Sequence, residues 1–146
     1  MTPDEAMAKA ERGELLPVWL LSGEEKLLRD QALAAITKAV LGGAIADFNV
    51  DKFSAGDASV DQILAATRMV PMMAKRRLVI VRGLERWDAS ASGDSENDDA
   101  KTLPPLDRLA DYAKSPIDST CLVLVAQKLD GRRKLVTLAK KSGFVV

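Results

Sequence analysis

Three short stretches of this chain carry residue types that could do chemistry. The first is Leu21-Ser22-Gly23-Glu24-Glu25-Lys26-Leu27-Leu28, a strand-to-helix turn of the kind that holds phosphate in nucleotide-binding sheets. A phosphate loop needs several glycines so that backbone N–H groups can surround the phosphates, then Lys and Ser or Thr for charge and magnesium. Here Gly23 stands alone, Lys26 is followed by Leu27, and Glu24 and Glu25 would repel phosphate. The third strand-like run ends in Arg82, where an acidic residue would be needed to hold magnesium or to accept a phosphoryl group. Neither nucleotide hydrolysis nor phosphoreceiver chemistry is supported, so no catalytic, cofactor-binding or metal-binding residue is expected.

The second stretch is Arg68-Met69-Val70-Pro71-Met72-Met73-Ala74-Lys75-Arg76-Arg77. Pro71 fixes φ, removes an N–H and stops the preceding helix pattern. Two thioether side chains follow, and then three cations. A short apolar pair beside basic residues is how a docking peg would look, with Lys75, Arg76 and Arg77 as rim contacts. The same methionines would equally fill an irregular end of a core, because the unbranched thioether suits both roles. The third stretch, Arg132-Arg133-Lys134, is a basic run that could meet an anion or be solvated.

Composition narrows the classes further. Lys and Arg together number 21, as do Asp and Glu, so the formal net charge is zero and general attraction to nucleic acid is not implied. His is absent and Cys121 is the one cysteine, which excludes disulfides, His/Cys metal sites and His-based triads within the chain. Cys121 lies in a very apolar run and reads as an inert buried thiol. No apolar run approaches a membrane span, and Met1-Thr2-Pro3-Asp4-Glu5 lacks the basic start of a secretory signal, so a cytoplasmic protein is expected.

The elements that must position these residues alternate along the chain. Thr2-Pro3-Asp4-Glu5 is a capping box opening a helix to about Arg12, ended by Gly13. Val18 to Leu21 reads as a strand. A helix with Glu24 and Glu25 in its first turn follows, with Leu28, Ala32, Ile36, Ala39 and Val40 on its apolar face and Gly42-Gly43 at its end. Phe48 to Phe53 reads as a polar strand near an edge, and Ser59-Val60-Asp61-Gln62 as a second capping box. Leu78 to Val81 and Thr120 to Ala126 are continuous apolar strands, separated by a helix bearing Leu106, Leu109, Ala110 and Ala113. A helix from Asp130-Gly131 bearing Leu135, Leu138 and Ala139, and a last strand, Phe144-Val145-Val146, complete the pattern. Such alternation predicts an α/β fold of one domain: a mainly parallel sheet with helices on both faces. Asp88 to Lys101, small and acidic, reads as a surface insertion.

A sheet of the nucleotide-binding class without the nucleotide residues, followed by an apolar peg, resembles a known family. Pro17-Val18-Trp19-Leu20-Leu21-Ser22-Gly23-Glu24-Glu25, then Met69 to Arg82, then Leu129-Asp130-Gly131-Arg132-Arg133-Lys134-Leu135 with Gly143-Phe144-Val145-Val146, are similar to the N-terminal domain of the delta subunit of the bacterial DNA polymerase III clamp loader. The resemblance implies a divergent AAA+-like fold that lacks the phosphate loop and grips the sliding clamp (beta subunit) without hydrolysing nucleotide itself. It places Met72 and Met73 where the family puts two apolar residues into a pocket of the clamp, with Val70 and Pro71 beside them. Met where the family carries Phe departs from that pattern and removes a rigid aromatic anchor.

The resemblance implies a helical lid and a collar domain beyond this region, so residues 1–146 are expected to be a single AAA+-like N-terminal clamp-binding domain, a fragment of the whole. The other clamp-loader subunits would then be met through domains absent here, with DNA a further contact in the full complex and no membrane contact. Two rival readings are a nucleic-acid-binding module built on the basic clusters and a stand-alone nucleotide-binding α/β enzyme. The first is weakened by the scarcity of aromatic stacking platforms, and the second by the absent phosphate loop.

Overall fold

A computed structural model of the chain describes residues 3–41, 49–69, 76–87, 105–117, 119–129 and 134–142. In chain order the elements are α1 (Pro3–Glu11), β1 (Val18–Ser22), α2 (Lys26–Leu41), β2 (Val50–Ser54), α3 (Val60–Thr67), β3 (Arg77–Arg82), α4 (Pro105–Lys114), β4 (Thr120–Ala126) and α5 (Lys134–Ser142). The four strands form one sheet in the order β1-β4-β3-β2, and every neighbouring pair is parallel.

Parallel strands all begin at one end of the sheet, so each must be reached by a crossover that covers a face. The alternation of side chains along the strands then sends successive residues into two cores. One face gathers Val18, Leu20, Val79, Val81, Leu122 and Leu124 against α3, α4 and α5. The other gathers Trp19, Leu21, Leu78, Ile80, Cys121 and Val123 against α1 and α2. This double cover is why β4 is buried along its whole length and reads as an unbroken apolar run. Burying each such aliphatic side chain contributes about 1.5–3 kcal/mol, so the central strands β3 and β4 hold the sheet together.

Local signals set the element ends. Gly13 takes φ +78 just beyond α1, with its N–H donating to Ala10 and the Glu14 N–H to Lys9, the paired bonds of a Schellman cap. Ser59 and Gln62 cap α3 reciprocally: the Ser59 hydroxyl accepts from the Gln62 N–H and the Gln62 side chain accepts from the Ser59 N–H.

Three expectations need correction. Glu24 and Glu25 stand before α2, not in its first turn; the Glu25 carbonyl accepts the first helical bond, from Arg29. Leu28 is 39% exposed, because the first turn of α2 stands clear of the sheet; Ala32, Leu33, Ile36 and Val40 make the buried stripe. The polar strand begins at Val50 rather than at Phe48, since Asn49 is helical and buried. The Asp130-Gly131 start expected for the last helix lies outside the described residues, which show that helix from Lys134. The strand expected over Phe144 to Val146 and the insertion from Asp88 to Lys101 lie outside the described residues.

Candidate functional site

Of the three stretches singled out, the first and the described flanks of the second fall at opposite ends of the sheet. The Ser22–Lys26 turn follows β1 and lies at the carboxyl ends of the strands, where α/β sheets bind nucleotides. Leu21, Ser22, Gly23, Glu24, Glu25, Leu28 and Arg29 line a cleft there of about 190 Å³. Two carboxylates therefore stand at the position a polyphosphate would occupy. The Gly23 N–H, which a phosphate cradle would aim at its ligand, donates instead to the Ala126 carbonyl at the end of β4, 3.2 Å away. Arg82, at the end of β3, is half exposed, with its guanidinium 3.7 Å from the Asp30 carboxylate at the surface. A cation thus occupies the place where nucleotide hydrolysis needs an acid. Leu27, 68% exposed, and Leu28 add an apolar rim to this end.

At the other end, where the strands begin, α3 gives out and β3 starts. Val70, Pro71, Met72, Met73 and Lys75 lie outside the described residues, but both flanks of their segment are well defined. On the α3 side the Arg68 and Met69 N–H groups donate to Ala65 and Ala66, and the Met69 side chain is 53% exposed. The Thr67 carbonyl, at the last residue of α3, accepts from the buried Thr120 hydroxyl at 2.7 Å. The Thr67 hydroxyl itself donates to the Leu64 carbonyl and meets the Tyr112 hydroxyl, which also accepts from the Ile117 N–H at 3.3 Å. Burial raises the Tyr112 pKa above its ordinary value, against the lowering effect of these bonds.

On the β3 side, Arg76 reaches back 61 positions to donate to the Leu15 carbonyl at 3.0 Å. Arg77 is 6% exposed. Its Nε donates to Asp51 Oδ2 at 3.0 Å and its Nη2 to the same oxygen, tying the first residue of β3 to the edge strand β2. The Arg77 N–H donates to the Ser119 carbonyl beside β4. The two cations foreseen as rim contacts that can be placed thus have intramolecular partners, and Arg77 has little surface left to offer. Arg132 and Arg133 lie outside the described residues; Lys134 is exposed at the start of α5.

Thr67, Thr120, Asp51 and Leu15 were not singled out in the sequence. Threonines at the end of a helix and the start of an apolar strand carry no signal by themselves. Asp51 had one: it is the one acid in a strand that alternates toward Phe53, which packs on the inner core.

With this geometry in place, comparison with known proteins decides the family. The family model described as DNA polymerase III, delta subunit, matches residues 19–146. The chain belongs to the DNA polymerase III delta-subunit family. It is 32% identical over 137 residues to DNA polymerase III subunit delta of Bacillus subtilis, an alignment covering 92% of this chain and 38% of that protein. The solved Bacillus subtilis DNA clamp loader delta protein superposes with a TM-score of 0.80 at 30% identity, over 99% of this chain and 41% of that one. The chain therefore spans about two fifths of the length of these relatives. A gamma subunit-related protein of DNA polymerase III from Thermotoga maritima shares the fold, with a TM-score of 0.62 at 16% identity over 100% of this chain and 45% of that one. The fold is the AAA+-like α/β arrangement of this group, with its parallel sheet and two helical layers. Among the described residues no helix is long and apolar enough to cross a membrane.

Proposed function

We propose that residues 1–146 form the clamp-gripping unit of a clamp-loader delta subunit, acting in cytoplasmic DNA replication without hydrolysing nucleotide. Val70, Pro71, Met72 and Met73 are its contact residues for the sliding clamp, with the two methionines entering an apolar pocket and Lys75 and Arg76 at the rim. The other loader subunits are met through parts of the protein beyond this chain. The observation that carries the reading is the delta-family match through residues 19–146, which contains the whole Met69–Arg82 segment.

Two features support it. The turn after β1 presents glutamates where phosphate would bind, so this relative of nucleotide-binding folds is left with recognition rather than hydrolysis. The chain also leaves α3 through an exposed Met69 and returns at a firmly anchored Arg76, which suits a short segment presented to a partner.

Truncating Met72 and Met73 together to Ala in the full-length protein should weaken binding to the cognate sliding clamp by roughly 2 kcal/mol, about thirtyfold, as expected for central interface anchors. The urea midpoint should scarcely move. Unfolding of the double variant, with clamp affinity per folded molecule unchanged, would make the pair core filler and overturn the reading.

A further inference from the structure

The topology leaves a furrow on the α2 side of the sheet. α2 packs mainly on β3, β1 and β4, and β2 is the edge strand beyond them. Lys52 of β2 stands opposite Ile80 of β3, which belongs to the core under α1 and α2, so Lys52 points to that side. Arg82, two residues beyond Ile80 on the same strand, points there too. Lys26, Asp30, Ala34, Thr37 and Lys38 of α2 supply the facing wall. Wall and strands enclose a groove of about 500 Å³, floored by the buried Leu33 and Ile80.

This groove is cationic in a chain whose formal net charge is zero. Lys26, Lys38, Lys52 and Arg82 are all exposed along it. Asp30, the acid that lines it, lies 3.7 Å from Arg82. Among the described residues, Lys26, Lys38 and Lys52 have no carboxylate within ion-pair distance. Like charges gathered without partners attract an anion, and their spacing selects its shape. Lys26 and Lys38 stand about 18 Å apart along the axis of α2, too far to converge on one phosphate group. Phosphates along one strand of a duplex repeat every 3.4 Å or so of axis, roughly five over that length, so a backbone laid in the groove meets one cation after another. Between the two lysines the helix presents only the small Ala34 and Thr37 to the groove, which lets such a backbone come close. The buried floor offers no exposed apolar anchor of the kind that holds a peptide.

We propose that the α2–β2 groove is a binding surface for the phosphodiester backbone of DNA, with Lys26, Lys38 and Lys52 as phosphate contacts and Arg82, held by Asp30, at the rim. No aromatic side chain lines the groove, so it follows the backbone and does not read bases. Glu24 and Glu25, just before Lys26, turn a polyanion away from the neighbouring cleft. The surface involves none of residues 70–75 and does not rest on their assignment to the sliding clamp.

The test is fluorescence anisotropy with the full-length protein and labelled DNA of about 20 nucleotides, single-stranded and as a duplex, from about 50 to 200 mM salt. Lys26→Gln, Lys38→Gln and Lys52→Gln are combined in one variant, and Lys26→Arg, Lys38→Arg and Lys52→Arg in a second that keeps the charge. Lys114→Gln, Lys140→Gln and Lys141→Gln, on α4 and α5 against the opposite face, remove the same formal charge elsewhere. Three phosphate contacts weaken duplex binding about fortyfold over that salt range. The groove glutamine variant should therefore bind at least about tenfold more weakly at the lower salt, with a log–log salt slope shallower by about 2.7 for duplex. Its arginine counterpart and the α4–α5 variant should stay within about twofold of wild type, and the urea midpoints of all three should match it. Wild-type affinity and slope in the groove glutamine variant, or an equal loss in the α4–α5 variant, would overturn the proposal. A polyglutamate peptide of equal charge that binds as tightly as DNA, and is lost in the same variant, would make the groove an acidic-peptide site and overturn it as well.

Discussion

Replacing Asp51 with Ala should be the most damaging single change to the sheet edge that leaves the apolar core untouched. The Arg77 side chain is 7% exposed and that of Asp51 30%, so the pair is shielded on one side and wetted on the other. Two guanidinium bonds converge on one carboxylate oxygen, Nε at 3.0 Å and Nη2 beside it. Removing one partner of a fully buried pair costs about 3–5 kcal/mol, because the remaining charge stays in a poor solvent. Water reaching Asp51 screens part of that, which brings the expected loss to about 2–3 kcal/mol. With a urea slope of about 1.5 kcal/mol/M, the midpoint should fall by about 1.5 M. Trp19 and Trp87 are both buried, so their fluorescence reports the transition. A second variant separates charge from packing. Asp51→Leu combined with Arg77→Met removes both ions, and should recover at least half of the loss. A midpoint for Asp51→Ala within about 0.3 M of wild type would refute the reasoning, since the pair would then behave like an exposed one.

Three further outcomes follow from the burial and charge of single groups. Desolvation pushes the Cys121 thiol up to about 12, with its Sγ 3.5 Å from the Leu16 carbonyl, so a thiol reagent at pH 8 should modify it only as fast as the protein unfolds. Between the unfolded thiol value near 9.0 and about 12 the unfolded chain binds fewer protons than the folded one; stability should therefore be complete below pH 9 and fall as pH rises, less steeply in Cys121→Ala, with Tyr112 adding a loss of the same sign. Calorimetry with ATP and magnesium should show no binding heat, because Glu24 and Glu25 line the cleft and the Gly23 N–H is already donated; saturable binding near micromolar concentration would overturn that account.

What the sequence made legible was local or strictly periodic. The capping box at Ser59 and the glycine cap at Gly13 are decided within a few residues, and both are present as read. The unbroken apolar runs of β3 and β4 announced strands covered on both faces, and the two cores lie there. Helical spacing alone could not tell that Leu28, in the first turn of α2, is partly in water while Ala32, Leu33, Ile36 and Val40 are buried. The Lys75-Arg76-Arg77 run shows the other limit. As a string it is three equivalent cations, but strand pairing places Arg77 on the same side of the sheet as Val79 and Val81, diagonally opposite Asp51. Its partner lies 26 residues away, and only the register of β2 against β3 brings them together.

That register also bears on the proposed recognition segment between α3 and β3. In parallel α/β folds, ligand chemistry gathers at the carboxyl ends of the strands, and the opposite end ordinarily serves stability. Here the turn after β1 puts Glu24 and Glu25 at the cleft and has its Gly23 N–H already donated to Ala126. The opposite end carries long-range polar anchors on either flank of one connection: Thr120 to Thr67, Arg77 to Asp51, and Arg76 to Leu15. Among the described residues these bonds stand beside two apolar layers built from hydrophobic side chains. Burying a hydroxyl or a guanidinium costs free energy that an apolar residue would avoid, and satisfied polar bonds return only a modest net gain. What such bonds supply is direction, because a hydrogen bond fails when its donor and acceptor turn away from each other, while an apolar contact tolerates rotation. Polar anchors at Thr67, Arg76 and Arg77 therefore fix the direction of both described flanks, which is what the proposed function requires of them.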